Sequence, residues 1–87
     1  MRRAFRIETS RQFAKDLRRL EPSVQRRVAR TLGLLVVDPY QGKKLTNVEV
    51  GQYRIRIGDY RVRYDVEGKQ RVIILYRIRH RREIYER

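Results

Sequence analysis

The sequence has no cysteine and a single histidine among its 87 residues. Without cysteine, the chain can form neither a disulfide framework nor a cysteine-based zinc site. One histidine makes a metal centre only when several carboxylates surround it, and we expect neither a metal nor another cofactor. No apolar run approaches the roughly 20 residues of a membrane span, and the amino-terminal MRRAFRIETS lacks the apolar core of a secretory signal. These absences predict a cytoplasmic protein without membrane contact.

Negative charge is also scarce, because 10 acidic residues stand against 23 basic ones and leave a net charge of +13. Four of the basic residues are lysines and 19 are arginines. Arginine presents a planar fork that binds phosphate or carboxylate oxygens in pairs. Heat-adapted proteins also carry dense surface charge, but they enrich both signs together. The composition therefore favours a polyanionic partner, nucleic acid or an acidic protein segment, for one small domain spanning residues 1–87.

The amino-terminal half reads as one strand and two helices. Residues 3–8 alternate between polar and apolar, which predicts a short strand. Residues 11–20 carry apolar side chains at helical spacing, and Thr9 or Ser10 is placed to cap that helix. A second helix is predicted over residues 22–37, with proline tolerated in its first turn. Each helix has one apolar stripe, which only a sheet beneath it would bury.

The carboxy-terminal half supplies that sheet. Residues 40–51 have no periodicity and are predicted to be a connecting loop. Strands follow at residues 52–57 and 60–66, joined by a tight turn at Gly58–Asp59. A third strand, residues 71–79, is apolar on both faces at its start, as is typical of a central strand. The predicted class is α+β, with a two-helix antiparallel hairpin on a mainly antiparallel four-stranded sheet in the order β-α-α-β-β-β.

Alternation along these strands divides the side chains between two faces. The predicted core face carries Tyr53, Ile55, Tyr60, Val62 and Tyr64. The last strand is predicted to place Val72, Ile74, Tyr76 and Ile78 on one side and Ile73, Leu75, Arg77 and Arg79 on the other.

A row of arginines falls on the face away from the helices: Arg54, Arg56, Arg61, Arg63, Arg77 and Arg79. Like charges directly opposite each other on neighbouring strands repel by up to about 1 kcal/mol. Long arginine stems can also cover apolar surface while their charged ends reach water. For the set as a whole we favour a binding face for an anion such as the phosphates of a nucleic acid. Lys43 and Lys44, in the preceding loop, either extend that face or form a solvated pair.

The sequence ends in a cluster of residues capable of proton transfer and phosphate binding. His80 follows the arginine strand, where neighbouring cations favour a neutral imidazole that can accept a proton. A lone histidine and a carboxy-terminal tyrosine such as Tyr85 are also common in purely structural roles. Glu83 is interpreted as a partner that orients an arginine, or as a base.

The segments YRIRIGDYRVRYDV and HRREIY resemble the RelE branch of the RelE/ParE toxin superfamily, ribosome-dependent mRNA endonucleases of toxin–antitoxin systems. The resemblance implies a microbial RNase-type fold whose concave sheet face binds mRNA in the ribosomal A site. It assigns Arg61 and Arg81 to the reacting phosphate and Tyr85 to catalysis. Arg54 and Arg56 stand where relatives often have lysines. Because arginine does not readily lose its proton, the resemblance leaves His80 or Tyr85 as the proton-transfer residue.

The resemblance also implies partners and a reaction. We expect cleavage of translated mRNA by attack of a ribose 2′-OH, with a cognate acidic antitoxin as binding partner and DNA contacted only through the antitoxin complex. Two alternatives stay open: a ParE-like inhibitor of DNA gyrase, and a basic RNA-binding module without catalytic activity.

Overall fold

The computed structural model describes the backbone of residues 4–85 and the side chains of residues 4–83. The elements in chain order are β1 (Arg6–Thr9), α1 (Arg11–Arg18), α2 (Pro22–Leu35), a short 3-10 turn (Pro39–Gln41), β2 (Lys43–Lys44), β3 (Tyr53–Ile57), β4 (Tyr60–Glu67), β5 (Val72–His80) and α3 (Arg81–Tyr85). No helix in this part of the chain is long and apolar enough to cross a membrane.

The strands form one sheet in the order β1-β5-β4-β3-β2. β1 pairs with β5 in parallel, and the other neighbours are antiparallel. The predicted α+β class, the helical hairpin and the interior position of the last strand are confirmed. A two-residue turn joins β3 to β4, with a positive φ of 60° at Gly58 that glycine adopts without steric cost.

The prediction missed two short elements. The connecting loop contains β2, so the sheet has five strands rather than four. The charged ending contains α3, for which no helix or strand was predicted. Two residues of strand and five of helix are too short to show a hydrophobic period, which explains both errors. The predicted first strand also began at residue 3, which lies outside the described residues.

The core lies between the helices and one face of the sheet. Phe13 of α1 and Val28 and Leu35 of α2 are fully buried, and they pack against sheet residues Val62, Tyr64, Ile73, Leu75 and Ile78. Burying side chains of this size stabilises the fold by about 1.5–3 kcal/mol each. Because α1 and α2 both pack on this face, the arginines lie on the opposite face, which holds the candidate site.

A β-bulge corrects the predicted division of β5. Arg63 of β4 pairs with Arg77, but the next residue, Tyr64, pairs with Leu75. The extra residue, Tyr76, shifts the alternation by one position. Ile73 and Leu75 therefore join Ile78 in the core, and the prediction that placed Ile73 and Leu75 beside the arginines is wrong.

Two polar side chains attach α1 to β5, along the part of β5 that extends beyond its pairing with β1. The Ser10 hydroxyl oxygen caps α1 by accepting the Phe13 N–H at 2.9 Å, and it donates to the Tyr76 carbonyl at 2.8 Å. Farther along α1, Asp16 Oδ2 accepts the Ile78 N–H at 2.9 Å and Arg77 Nε at 3.0 Å. Burial alone would raise the pKa of Asp16, but hydrogen bonds from Gln12, Ile78 and Arg77 outweigh it and hold the pKa below its usual 3.8. These bonds fix the strand that carries Arg77 and Arg79.

We expect Asp16→Asn to lower the free energy of unfolding by about 1–3 kcal/mol at pH 7, because it removes the negative charge that pairs with Arg77 and replaces one of the two acceptor oxygens with a donor. The folded-state pKa of Asp16 is lowered, so its contribution is complete above the unfolded value of 3.8 and is lost as the pH falls through the folded value. Urea unfolding of the native protein and of Asp16→Asn at pH 7 and at pH 3 measures the loss of stability and its pH dependence. An identical difference between the two proteins at the two pH values would contradict the role of the ionised carboxylate.

Candidate nucleic-acid interface

Six arginines share the sheet face opposite the helices, and we call this surface the arginine face. The pairing aligns them in two rows: Arg56, Arg61 and Arg79 in one, and Arg54, Arg63 and Arg77 in the other. Lys43 of β2 pairs with Arg54 and extends the second row, whereas Lys44 pairs with Tyr53 and so points to the other face. Directly opposed like charges oppose folding. A bound polyanion would remove that repulsion.

A cavity of about 160 Å³ lies within this surface, lined by Leu45, Arg54, Arg61, Arg63 and Arg79. We call it the arginine cavity. Arg61 is only 8% exposed. Arg54 Nε and Arg79 Nε are buried without a hydrogen-bond partner. Four arginine side chains around one cavity indicate a site for an anion, because guanidinium groups bind phosphate and carboxylate oxygens in pairs.

Two of the other arginines, Arg63 and Arg77, hold structure as well as charge. Arg63 Nε donates to the Gly51 carbonyl at 2.7 Å and its Nη2 to the Val50 carbonyl at 3.3 Å. Arg77 is bound to Asp16 and still 40% exposed. These bonds fix the loop before β3 and the edge of β5. Arg63 therefore lines the arginine cavity as a positioned cation, together with Arg54, Arg61 and Arg79, and Arg77 lies beside Arg63 in the second row.

His80 lies on the other side of the sheet from Arg61 and Arg79. It pairs with Tyr60, whose ring lies edge-on to the imidazole with centroids 5.1 Å apart. Its Nδ1 accepts the Arg82 backbone N–H at 3.1 Å, which places the ring proton on Nε2. The structure thus does not bring His80 to the arginine cavity. The parity of residues 79 and 80 along one strand could have shown this from the sequence.

The other residues of the terminal cluster start α3. Glu83 Oε1 accepts the His80 N–H at 2.9 Å, a capping bond rather than an arginine pair. Arg81 is exposed, and its N–H donates to the Asp59 carbonyl at 2.8 Å. It does not line the arginine cavity, whereas Arg79, which was predicted only to bind RNA, does. Tyr85 ends α3, and its side chain lies outside the described part of the structure.

A residue that the sequence analysis passed over supports one end of the arginine face. Asp65 accepts the Gly51 N–H at 3.0 Å and the Gln52 N–H at 2.7 Å. Burial, together with a hydrogen bond to Asp65 and the negative charge of that residue, raises the pKa of Tyr76. Among the described residues, no group of three or more histidines and carboxylates could hold a metal ion.

The chain is similar to known toxins along nearly its whole length. Residues 7–85 match the family model described as ParE toxin of type II toxin-antitoxin system, parDE. A protein of Methanocaldococcus jannaschii named as toxin RelE1 is 32% identical over 88 residues, covering 94% of this chain and 96% of the relative.

Solved structures of toxin–antitoxin complexes have the same fold. A chain of the archaeal RelE–RelB complex from Pyrococcus horikoshii superposes with a TM-score of 0.79 at 29% identity, covering 91% of this chain and 97% of that one. A chain of the RelBE2 complex from Mycobacterium tuberculosis gives a TM-score of 0.80 at 24% identity, with coverage of 88% and 98%. At 24% identity, the match to the M. tuberculosis chain shows the fold alone. The family model, the M. jannaschii relative and the P. horikoshii chain show that this chain belongs to the RelE branch of the RelE/ParE superfamily of type II toxins.

Proposed function

We propose that this chain is a ribosome-dependent endoribonuclease that cleaves translated mRNA in the ribosomal A site and so inhibits translation. The observation that carries the proposal is the arginine cavity, which four arginines of three adjacent strands line. A phosphodiester supplies acceptor oxygens for guanidinium groups, and the other basic residues of the arginine face extend the positive surface beyond the cavity. The +13 net charge favours association with ribosome-bound RNA.

The reaction that fits this surface is an intramolecular transesterification. The ribose 2′-OH loses its proton and its oxygen attacks the adjacent phosphorus, while the bond from phosphorus to the 5′ oxygen breaks. The products are a 2′,3′-cyclic phosphate and a 5′-OH that has gained a proton. We assign Arg61 and Arg79 to the phosphate oxygens that gain charge in the transition state. Arg54 and Arg56 would hold the flanking backbone.

Proton transfer needs a different group, because arginine keeps its proton. His80 lies on the far face of the sheet, and Tyr85, assigned to catalysis by the sequence resemblance, is the remaining candidate. Arg81 begins the same helix and is proposed to bind phosphate at the rim. The ribosome would complete the site by orienting the scissile nucleotide.

The complexes with RelB suggest the partner of this chain. We propose a cognate antitoxin whose acidic, amphipathic segment binds the basic surface, the complex contacting DNA mainly through the antitoxin. We place the activity in the cytoplasm, where translated mRNA is found.

A purified translation system tests the activity directly. We expect added protein to cut a reporter message only while it is translated, leaving 2′,3′-cyclic phosphate and 5′-OH ends that primer extension and end-labelling identify. The ParE description of the family model makes gyrase the second candidate target. Loss of supercoiling by purified gyrase with an intact message would establish that alternative. An intact message and active gyrase would leave a binding module and overturn the proposed reaction.

A further inference from the structure

A second cleft adjoins the arginine cavity and has no role in the reaction described above. Its volume is about 410 Å³, and its lining includes Gln12, Val50, Gly51, Arg63, Tyr76 and Arg77. Arg63 lines both spaces, so the cleft and the arginine cavity are neighbours on the same face. Its size falls in the range of small-ligand sites. A strand whose phosphate occupies the arginine cavity would therefore have a neighbouring nucleotide at this cleft.

The bulge in β5 creates the aromatic surface of this cleft. With regular alternation, Tyr76 and Arg77 would point to opposite faces. Because Arg77 pairs with Arg63 while Leu75 pairs with Tyr64, Tyr76 is the inserted residue and shares the arginine face. Bulges are frequent beside active sites, where they redirect a side chain. Here the bulge adds a tyrosine ring beside Arg63 and Arg77.

Asp65 holds this ring in place before any ligand binds. Its carboxylate accepts from Gly51, Gln52 and the hydroxyl of Tyr76, and so joins the aromatic residue to the loop on the other side of the cleft. Gly51 has a positive φ of 69°, and its carbonyl is bound by Arg63. Both sides of the cleft are thus attached to the same strand, β4. A site fixed in this way loses little side-chain entropy on binding.

The chemistry of the lining selects one kind of occupant. Phosphate is disfavoured, since Arg77 is neutralised by Asp16 and Arg63 is bound to the loop carbonyls. A nucleobase suits the cleft, because aromatic rings and guanidinium planes stack on bases without regard to sequence.

We propose that this cleft binds the base of a nucleotide next to the cleaved phosphate, with Tyr76 as its stacking platform. The inference deepens the proposed RNA-cleaving function and rests on it. Phosphates in the arginine cavity and a base on Tyr76 together define the path of the RNA across the face. Tyr76 is a binding residue that fixes the position of the RNA strand, and so determines which phosphate lies in the arginine cavity.

Binding of a short oligonucleotide tests the cleft without the ribosome. The probe is a fluorescent RNA tetranucleotide with 2′-O-methyl groups, which cannot be cleaved, compared with versions that lack one base at each position in turn. Fluorescence anisotropy at fixed salt measures the affinities. We expect one abasic position to weaken binding to the native protein by about 5- to 150-fold, the worth of one base stacked on an aromatic ring.

The variants assign that loss to Tyr76. Tyr76→Leu should bind the intact probe more weakly than the native protein by a similar factor. It should also bind the intact and abasic probes with equal affinity. Tyr76→Phe keeps the ring and should keep most of the affinity. Tyr40→Leu removes an exposed tyrosine outside the cleft and should bind as the native protein does. Thermal unfolding of each variant confirms that it is folded.

The outcomes separate the two proposals. If Arg54→Ala and Arg79→Ala lose binding while no abasic position matters, the base cleft is overturned and the RNA-binding face stands. If an abasic position matters equally for the native protein and Tyr76→Leu, the stacking platform is also overturned. If the native protein does not bind the tetranucleotide at all, both the cleft and the RNA-binding face fail.

Discussion

Arg79→Ala is expected to slow cleavage of translated mRNA by about 10²–10³-fold, the usual effect of removing one well-placed donor from a developing oxyanion. Arg79 pairs with Arg61 across β4 and β5, and both line the arginine cavity. The Arg79 side chain is half-buried in the wall of this cavity, so its guanidinium is held in position before the phosphate gains charge. The rate of message cleavage in the purified translation system, at saturating ribosomes, measures the loss.

Two further variants locate the effect. The sequence resemblance assigns the phosphate to Arg81, whereas the cavity geometry assigns it to Arg79, so Arg81→Ala is the decisive comparison. Arg82→Ala removes an exposed arginine from α3 and serves as the matched control for net charge. We expect Arg79→Ala to lose far more activity than Arg81→Ala, and Arg82→Ala to cleave at the native rate. Full loss in Arg81→Ala with native cleavage by Arg79→Ala would return the phosphate role to Arg81.

Arg79→Ala is also expected to leave the stability of the fold unchanged or to increase it. Replacing Arg79 by alanine removes a buried unpaired donor and one of three like charges in a row. Both changes favour the folded state, so we expect the variant to unfold at the same or a higher urea concentration. An arginine kept only to support the fold would show the opposite sign. Lost activity with retained or increased stability is the behaviour of a functional residue.

The arginine face could be predicted from the sequence because strand alternation depends only on local geometry. Arg54 and Arg56 alternate with buried or half-buried residues, and a two-residue turn brings β4 beside them in the expected register. The same alternation places Arg79 and His80 on opposite faces of the sheet. The proton-transfer role predicted for His80 beside the arginines therefore conflicted with it. Proximity in sequence to the arginines was a weaker guide than parity along the strand.

What could not be predicted depends on contacts between distant segments. No local signal marks the bulge at Tyr76, since it arises where β5 must pair with β4 and also bind Ser10 and Asp16 of the helical segment. The capture of Arg63 by the loop carbonyls likewise requires a loop that begins at Leu45 and returns at Gln52. An arginine that the sequence predicts to bind RNA can therefore also hold a loop of the protein in place, as Arg63 does.

The opposite side of the sheet determines whether this face forms at all, and Tyr64 is its central residue. It is fully buried, and its ring stacks on Tyr53 with centroids 5.5 Å apart. Its hydroxyl donates to the Pro39 carbonyl at 3.0 Å and accepts the Gly42 N–H at 3.1 Å. Burial raises the pKa of Tyr64, which keeps this hydroxyl protonated as a donor. Through these bonds the core holds the segment that leads into β2, next to Arg54.

Tyr64→Ala should lower the free energy of unfolding by about 3–5 kcal/mol, the usual cost of emptying a buried aromatic site. In a domain of this size the loss corresponds to a fall in Tm of more than about 10 °C. Tyr64→Phe keeps the ring but leaves two backbone groups without their partner, and about 1–3 kcal/mol is expected. Tyr40→Phe, at an exposed tyrosine, should stay within about 0.5 kcal/mol of the native protein. Urea unfolding measures all three, and equal stability of Tyr64→Phe and the native protein would show that the hydroxyl bonds do not hold the β2 segment.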